Sequence, residues 1–263
     1  MNLVSFNTER IPRVALFRSL TVIGLVLLWS LGVIGFAQQA DPPKPVDHAP
    51  TPIPNGPGII VLFSGKPEDV AANWRKNMSD KDAAWQVKSG AMVSGGGDIV
   101  TKQDFTDFQL HVEFKVPYMP DKTGQGRGNS GVGLQSHYEI QVLDSFGFKE
   151  PGTGDCGAVY NQAAPLVNAC RPPLEWQTYD ITFRAPRFDD AGQVKEKARV
   201  TVIQNGLIVQ NNQEIKGPTG IGSDRPVDKP GPIYLQDHGN PAEFRNIWIR
   251  PLPTEPATHY APR

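Results

Sequence analysis

Glu139 and Gln141 sit two residues apart in the run Tyr138-Glu139-Ile140-Gln141-Val142. In an extended strand that spacing puts the carboxylate and the amide on one face and the three apolar side chains on the other. Burying such a face dry is costly, so it is expected to look into a wet groove. A carboxylate there can act as general acid or base, and an amide can hold a hydroxyl. His137 directly precedes the strand and His238 lies in the polar turn Gln236-Asp237-His238-Gly239-Asn240-Pro241. Either could complete an acid/base couple with Glu139 near neutral pH. Arg127 and Arg245 offer forked donors for hydroxyls or a carbonyl oxygen.

Each of these residues also has a plainer reading. Glu139 and Gln141 fit the solvated face of an ordinary strand, and Asp144 fits a strand-end turn cap as well as a second carboxylate. The arginines could form surface ion pairs. Trp85 and Trp248 could stack on a sugar ring or pack in a core. The sequence has no HExxH, no CxxC pair, no run of alternating aspartates and no GxSxG. It therefore gives no metal site and no serine-esterase elbow. No cofactor is predicted, with a divalent ion left as an open alternative.

The elements that must position these residues read as short strands. Phe108, Leu110, Val112, Phe114 and Val116 alternate with Gln109, His111, Glu113 and Lys115, which predicts a strand with one core face and one wet face. Further strands are expected at 58–63, 85–87, 91–93, 176–184, 198–203, 207–210, 233–235 and 244–250, with a helical turn near Glu68–Trp74. Asn205-Gly206 marks a hairpin. Gly95-Gly96-Gly97 reads as a tight turn, since no Lys-Ser/Thr follows it. Residues 145–175 are irregular and long enough to serve as a functional wall or lid. With 26 glycines and 25 prolines and no long helical period, the chain is expected to be all-β, a sandwich of two antiparallel sheets.

The ends read differently. Arg10, Arg13 and Arg18, the apolar stretch Leu20–Phe36 and the small residues Gly35-Phe36-Ala37 make residues 1–37 an export signal. An uncleaved anchor is the alternative. No cysteine lies near the cleavage site, which excludes a lipoprotein. Residues 38–57 form a linker with seven prolines between Asp41 and Pro57, the folded domain spans 58–252, and 253–263 is a loose tail. A net charge of −1 gives no reason to expect nucleic acid or an anionic membrane surface as partner. In an exported chain Cys156 and Cys170 could close a disulfide worth about 3 kcal/mol, or remain unrelated thiols.

Four blocks go beyond pattern: GNSGVGLQSHYEIQVLDSFG, AVYNQAAPLVNACRPPLEWQTYDITFRAPRF, ARVTVIQNGLIVQNNQEIKGPTG and LQDHGNPAEFRNIWIRPL. Together they resemble the DUF1080 family of 3-keto-disaccharide hydrolases, also described as 3-keto-glucoside lyases and 3-keto-2-hydroxy-glucal hydratases, over Gly58 to Leu252. The resemblance implies a concanavalin A-like jelly roll, bacterial export and action on an oxidised (3-keto) glycoside by elimination and hydration. It implies site positions at Asn129, Ser130, Glu139, Gln141, Asp144, His238, Arg245 and Asn246. In that reading Glu139 or His238 is the base or the acid, in either order, while Gln141 or Arg245 holds the ketone or hydroxyls. Family members often carry Arg near His137 and lack the two cysteines, so contacts there, and the disulfide, would be peculiar to this branch. The competing expectation is a non-catalytic carbohydrate-binding module, because one sandwich serves both uses.

Overall fold

The structure, a computed structural model, describes residues 42–44, 46–221 and 225–254. The expected export segment and most of the tail lie outside the described residues. In chain order the strands are β1 (Ile60–Phe63), β2 (Trp74–Lys76), β3 (Gln86–Lys88), β4 (Ala91–Val93), β5 (Ile99–Thr101), β6 (Phe108–Lys115), β7 (Ser130–Leu134), β8 (Tyr138–Val142), β9 (Gln177–Arg184), β10 (Arg187–Phe188), β11 (Val194–Glu196), β12 (Arg199–Gln204), β13 (Leu207–Glu214), β14 (Tyr234–Leu235) and β15 (Glu243–Pro251). Among the described residues one α-helix, α1 (Pro67–Asn73), links β1 to β2. Pro67 opens it, where its missing N–H costs nothing, and Glu68 and Asp69 favour its positive end.

Two antiparallel sheets form the sandwich. The larger has the order β13-β12-β9-β6-β15-β4-β3, with β1 also paired to β15, and the smaller has the order β2-β5-β14-β7-β8. The alternation of β6 sends Phe108, Leu110, Val112 and Phe114 into the space between the sheets, each contributing about 2 kcal/mol by leaving water. From the smaller sheet β8 answers with Tyr138, Ile140 and Val142, all buried. The rings of Tyr138 and Phe183 meet 5.6 Å apart across the interface. This packing fixes which face of β8 is left over: Glu139 and Gln141 point away from the core.

Residues 128–144 do not run as one strand. They form the hairpin β7–β8, in full register from Ser130↔Val142 to Leu134↔Tyr138. Gln135 and Ser136 take the left-handed conformation at its tip, with φ of 54° and 56°. That is the turn geometry that Asn-Gly normally signals, made here without it. Packing holds it in place: Gln135 donates its amide to the Phe105 carbonyl at 2.9 Å.

Candidate functional site

The outward face of the smaller sheet is a trough because β7 carries glycines there. Gly131 stands opposite Gln141 and Gly133 opposite Glu139. A Cβ on Gly131 would come within 2.3 Å of a Glu139 carboxylate oxygen, and one on Gly133 within 2.5 Å of Ile221 Cδ1. The space those side chains would fill is used by Glu139 and by the segment Thr219–Ile221. Thr219 is tied down, since its hydroxyl accepts the Glu139 N–H at 2.9 Å and its own N–H donates to the His137 carbonyl at 2.8 Å.

The result is a pocket of about 260 Å³ with Glu139 and Gln141 in its floor. Gln125 and Asn129 form one side, Tyr160 another, and Tyr234, Gln236 and His238 a third. The irregular stretch 145–175 supplies a wall: its residues Gly157, Ala158 and Tyr160 hydrogen-bond the backbone of β8 at Glu139 and Gln141. Two reciprocal ties fix the His238 turn beside the floor. The Asp237 N–H donates to Asp98 Oδ1 and the Gly97 N–H to Asp237 Oδ2, both at 2.8 Å. His238 itself is exposed at the pocket mouth.

Among the described residues Glu139 is the one carboxylate lining this pocket, and it is 3 % exposed. Burial, reinforced by the charge of Asp98, pushes its pKa up from 4.5 to about 7. A carboxyl so placed changes charge near neutral pH, which suits general acid/base work. Around it the amides are oriented by their donors. Asn129 Nδ2 donates to the Gln125 carbonyl at 2.8 Å, and Gln141 Nε2 to Gln125 Oε1 at 2.9 Å. The oxygens Asn129 Oδ1, Gln141 Oε1 and Gln236 Oε1 are buried without a hydrogen-bond partner among the described residues. Each costs about 1–3 kcal/mol unless a donor arrives. A hydroxyl-rich ligand supplies such donors.

Six of the expected site residues fall outside this lining. Arg127 is spent on Asp144: it donates to the Asp144 carbonyl at 2.9 Å and pairs with its carboxylate at 3.3 Å. Asp144 also accepts the Phe146 N–H at 3.3 Å, so it caps the strand end. Ser130 faces the core and ties β7 to β14 through the Gln236 carbonyl at 2.7 Å. His137 is buried under Arg225 and Pro226, and burial lowers its pKa. Arg245 and Asn246 belong to β15 in the other sheet. Their sequence motif also contains His238, but the chain crosses from one sheet to the other between them.

On that other sheet Arg245 and Asn246 join His111 and Glu113 in a buried network. Arg245 Nε donates to Glu113 Oε2 at 2.7 Å and its guanidinium lies 4.0 Å over the Trp176 ring. Asn246 Nδ2 donates to Glu113 Oε1 and to the Thr51 carbonyl, each at 2.8 Å. The Thr51 N–H donates to Glu113 Oε1 at 2.6 Å, and Arg245 also donates to the His48 carbonyl. The proline-rich segment is largely exposed, yet it is strapped to the sheet through its backbone. The expected wet face of β6 is thereby closed over His111 and Glu113. Burial disfavours both charges, but mutual pairing wins: His111, held also by Asp180 at 2.6 Å, is raised to about 9, and Glu113 is lowered to about 2. Trp248 stacks on His111 at 5.3 Å and Trp85 packs on Phe244 at 5.7 Å, so neither lines the pocket. Cys156 and Cys170 are free buried thiols beside each other, not a disulfide.

The smaller sheet of this β-sandwich thus holds a buried carboxylate among amides and hydroxyls, a lining that suits a hydroxyl-rich ligand. Residues 58–250 match the 3-keto-alpha-glucoside-1,2-lyase-like domain, and the chain belongs to that family. A protein from Parabacteroides distasonis ATCC 8503, provisionally described as a glycosyl hydrolase, is 40 % identical, with a TM-score of 0.66 over 78 % of this chain and 94 % of its own. Two further proteins of that organism and description share the fold at 24 % and 23 % identity, with TM-scores of 0.52 and 0.50. They cover 74 % of this chain each, and 94 % and 99 % of their own lengths. Among curated proteins no sequence matches.

Proposed function

We propose that the protein cleaves 3-keto-glycosides by elimination followed by hydration, with Glu139 as the base. The observation that carries this reading is the buried Glu139 carboxylate, the one carboxylate among the described residues of the pocket lining, with a pKa near 7. An ordinary glycosidase uses two carboxyl groups, one on each side of the scissile bond. A 3-ketone removes that need by acidifying the proton at C2. Glu139 takes that proton, the electron pair passes to the ketone oxygen, and its return expels the C1 oxygen with a proton. Water then adds at C1 of the resulting enone while C2 regains a proton, so the net change is hydrolysis.

In this scheme His238, at the pocket mouth, is the acid for the departing oxygen. The Tyr160 hydroxyl, in the pocket lining, is a donor for the developing enolate. The buried amide oxygens accept from the sugar hydroxyls. Arg245 has no part in it, being held by Glu113 in the other sheet. The export-type sequence of residues 1–37 fits action outside the cytoplasm.

The test is incubation with a 3-keto-glucoside and with the same glucoside unoxidised. Release of the aglycone from the keto substrate alone is expected, with turnover abolished in Glu139→Gln. Retained sugar binding without release would assign the groove to a binding module instead.

A further inference from the structure

The pairing of the smaller sheet puts Arg75, Val100, Tyr234, Gly133 and Glu139 in one row. Residues paired in this way point to the same face, so Arg75 on β2 shares the open face with the Glu139 pocket. Four strand spacings separate them, about 19 Å at roughly 4.8 Å each. At the Arg75 end lies a second pocket, of about 420 Å³, lined by Arg75, Asn77, Ser79, Ser136 and Arg225, with Asp80 at its rim. Between the two stands a small apolar cluster of Val100, Ile221 and Tyr234.

The chemistry of this second pocket differs from the first. Arg75 gives one guanidinium nitrogen to the Ser79 carbonyl at 3.0 Å and has no carboxylate partner among the described residues. Arg225 brings a second guanidinium, ion-paired with Asp104. Ser136 is 1 % exposed, and its hydroxyl is buried without a hydrogen-bond partner. Asp80, exposed to solvent, is the opposing charge. A forked guanidinium, a second one beside it and an unpartnered hydroxyl match the oxygens of an oxyanion.

We infer that the Arg75 pocket is a distal subsite for an oxyanion group, a carboxylate, sulfate or phosphate ester, carried by the part of the glycoside far from the reacting sugar. The inference rests on the reading that the Glu139 pocket holds a glycoside. The substrate class it names is an acidic oligosaccharide or a glycoside with a long acidic aglycone, because a single ring at Glu139 does not reach Arg75.

Calorimetric titration of the protein tests this without turnover. The probes are a neutral gluco-oligosaccharide, the same oligosaccharide ending in a uronic acid at the distal unit, and inorganic sulfate. The acidic oligosaccharide is expected to bind about tenfold more tightly than the neutral one, the scale of one charge-assisted contact. The preference should shrink with added salt and disappear in Arg75→Gln, while surviving in Glu139→Gln. Arg225→Gln, which leaves β2 untouched, should reduce it as well and serves if Arg75→Gln does not fold. Equal binding of the two oligosaccharides would overturn the subsite and leave the glycoside reading standing. Failure of both to bind would overturn the two together. Sulfate bound as tightly as the acidic oligosaccharide, without competing with it, would make the pocket a free-ion site and refute the proposal.

Discussion

Glu139→Gln should stabilise the protein, and only above the pH at which Glu139 ionises. The two side chains have the same shape, so the variant isolates the charge. Burial and Asp98 move the Glu139 pKa from 4.5 to about 7, and each tenfold in acidity is worth about 1.4 kcal/mol. Below pH 4.5 the carboxyl is protonated in the folded and the unfolded chain, and nothing is lost. Between pH 4.5 and 7 the unfolded chain releases the proton while the folded chain keeps it, and stability falls. Above pH 7 the loss is complete, at about 3 kcal/mol from that difference. Replacement by Gln removes the penalty. Urea unfolding of both proteins at pH 4.5 and pH 8.5 is the assay, with the midpoints converted through a common m-value. Near equality at pH 4.5 and a gain of about 2–3 kcal/mol for the variant at pH 8.5 are expected. An equal difference at the two pH values, or a less stable variant at pH 8.5, would refute the reasoning that Glu139 is a strained, desolvated carboxylate.

Further predictions follow from the same geometry. Gly131→Ala places a methyl in the space of a Glu139 oxygen, 2.3 Å away, and displacement of that order lowers kcat/KM about 100-fold with the fold retained by circular dichroism. Asp98→Asn removes the charge that helps raise Glu139 while keeping an acceptor for the Asp237 N–H. The rising limb of the kcat/KM–pH profile should therefore shift to lower pH, and a shift upward would contradict the assignment. Thr51→Pro removes the donor to Glu113, so the segment 46–52 should become sensitive to limited proteolysis at little cost in turnover. Thiol alkylation of the protein, with and without reduction, decides between the neighbouring free thiols and the expected bridge: two thiols blocked before reduction would rule out the disulfide.

What could be read in the sequence, and what could not, follows from how far each signal reaches along the chain. Alternation is local, so β6 and β8 were legible, and with them the outward face of Glu139 and Gln141. The hairpin tip was not, because Gln135 and Ser136 adopt positive φ with none of the residues that advertise it. Gln125, Tyr160, Thr219 and Tyr234 reach the pocket from four separate parts of the chain, and no spacing joins them. Proximity in sequence also misleads: only six residues lie between His238 and Arg245, yet β15 carries the arginine into the other sheet. The linker has no apolar period to betray its docking, because the contacts with Glu113, Arg245 and Asn246 are polar and made mostly by its backbone groups, with the Asp47 carboxylate adding a 3.9 Å ion pair to Arg245.

The central claim is that Glu139 removes the C2 proton of a 3-keto sugar. Running the reaction in heavy water, beside an enzyme-free control for spontaneous exchange, tests it most directly. Elimination and hydration put one solvent deuterium at C2 of the released 3-keto sugar, readable by mass and by loss of the C2 proton signal. Release of the sugar with its original C2 hydrogen intact would mean direct hydrolysis and would contradict the account.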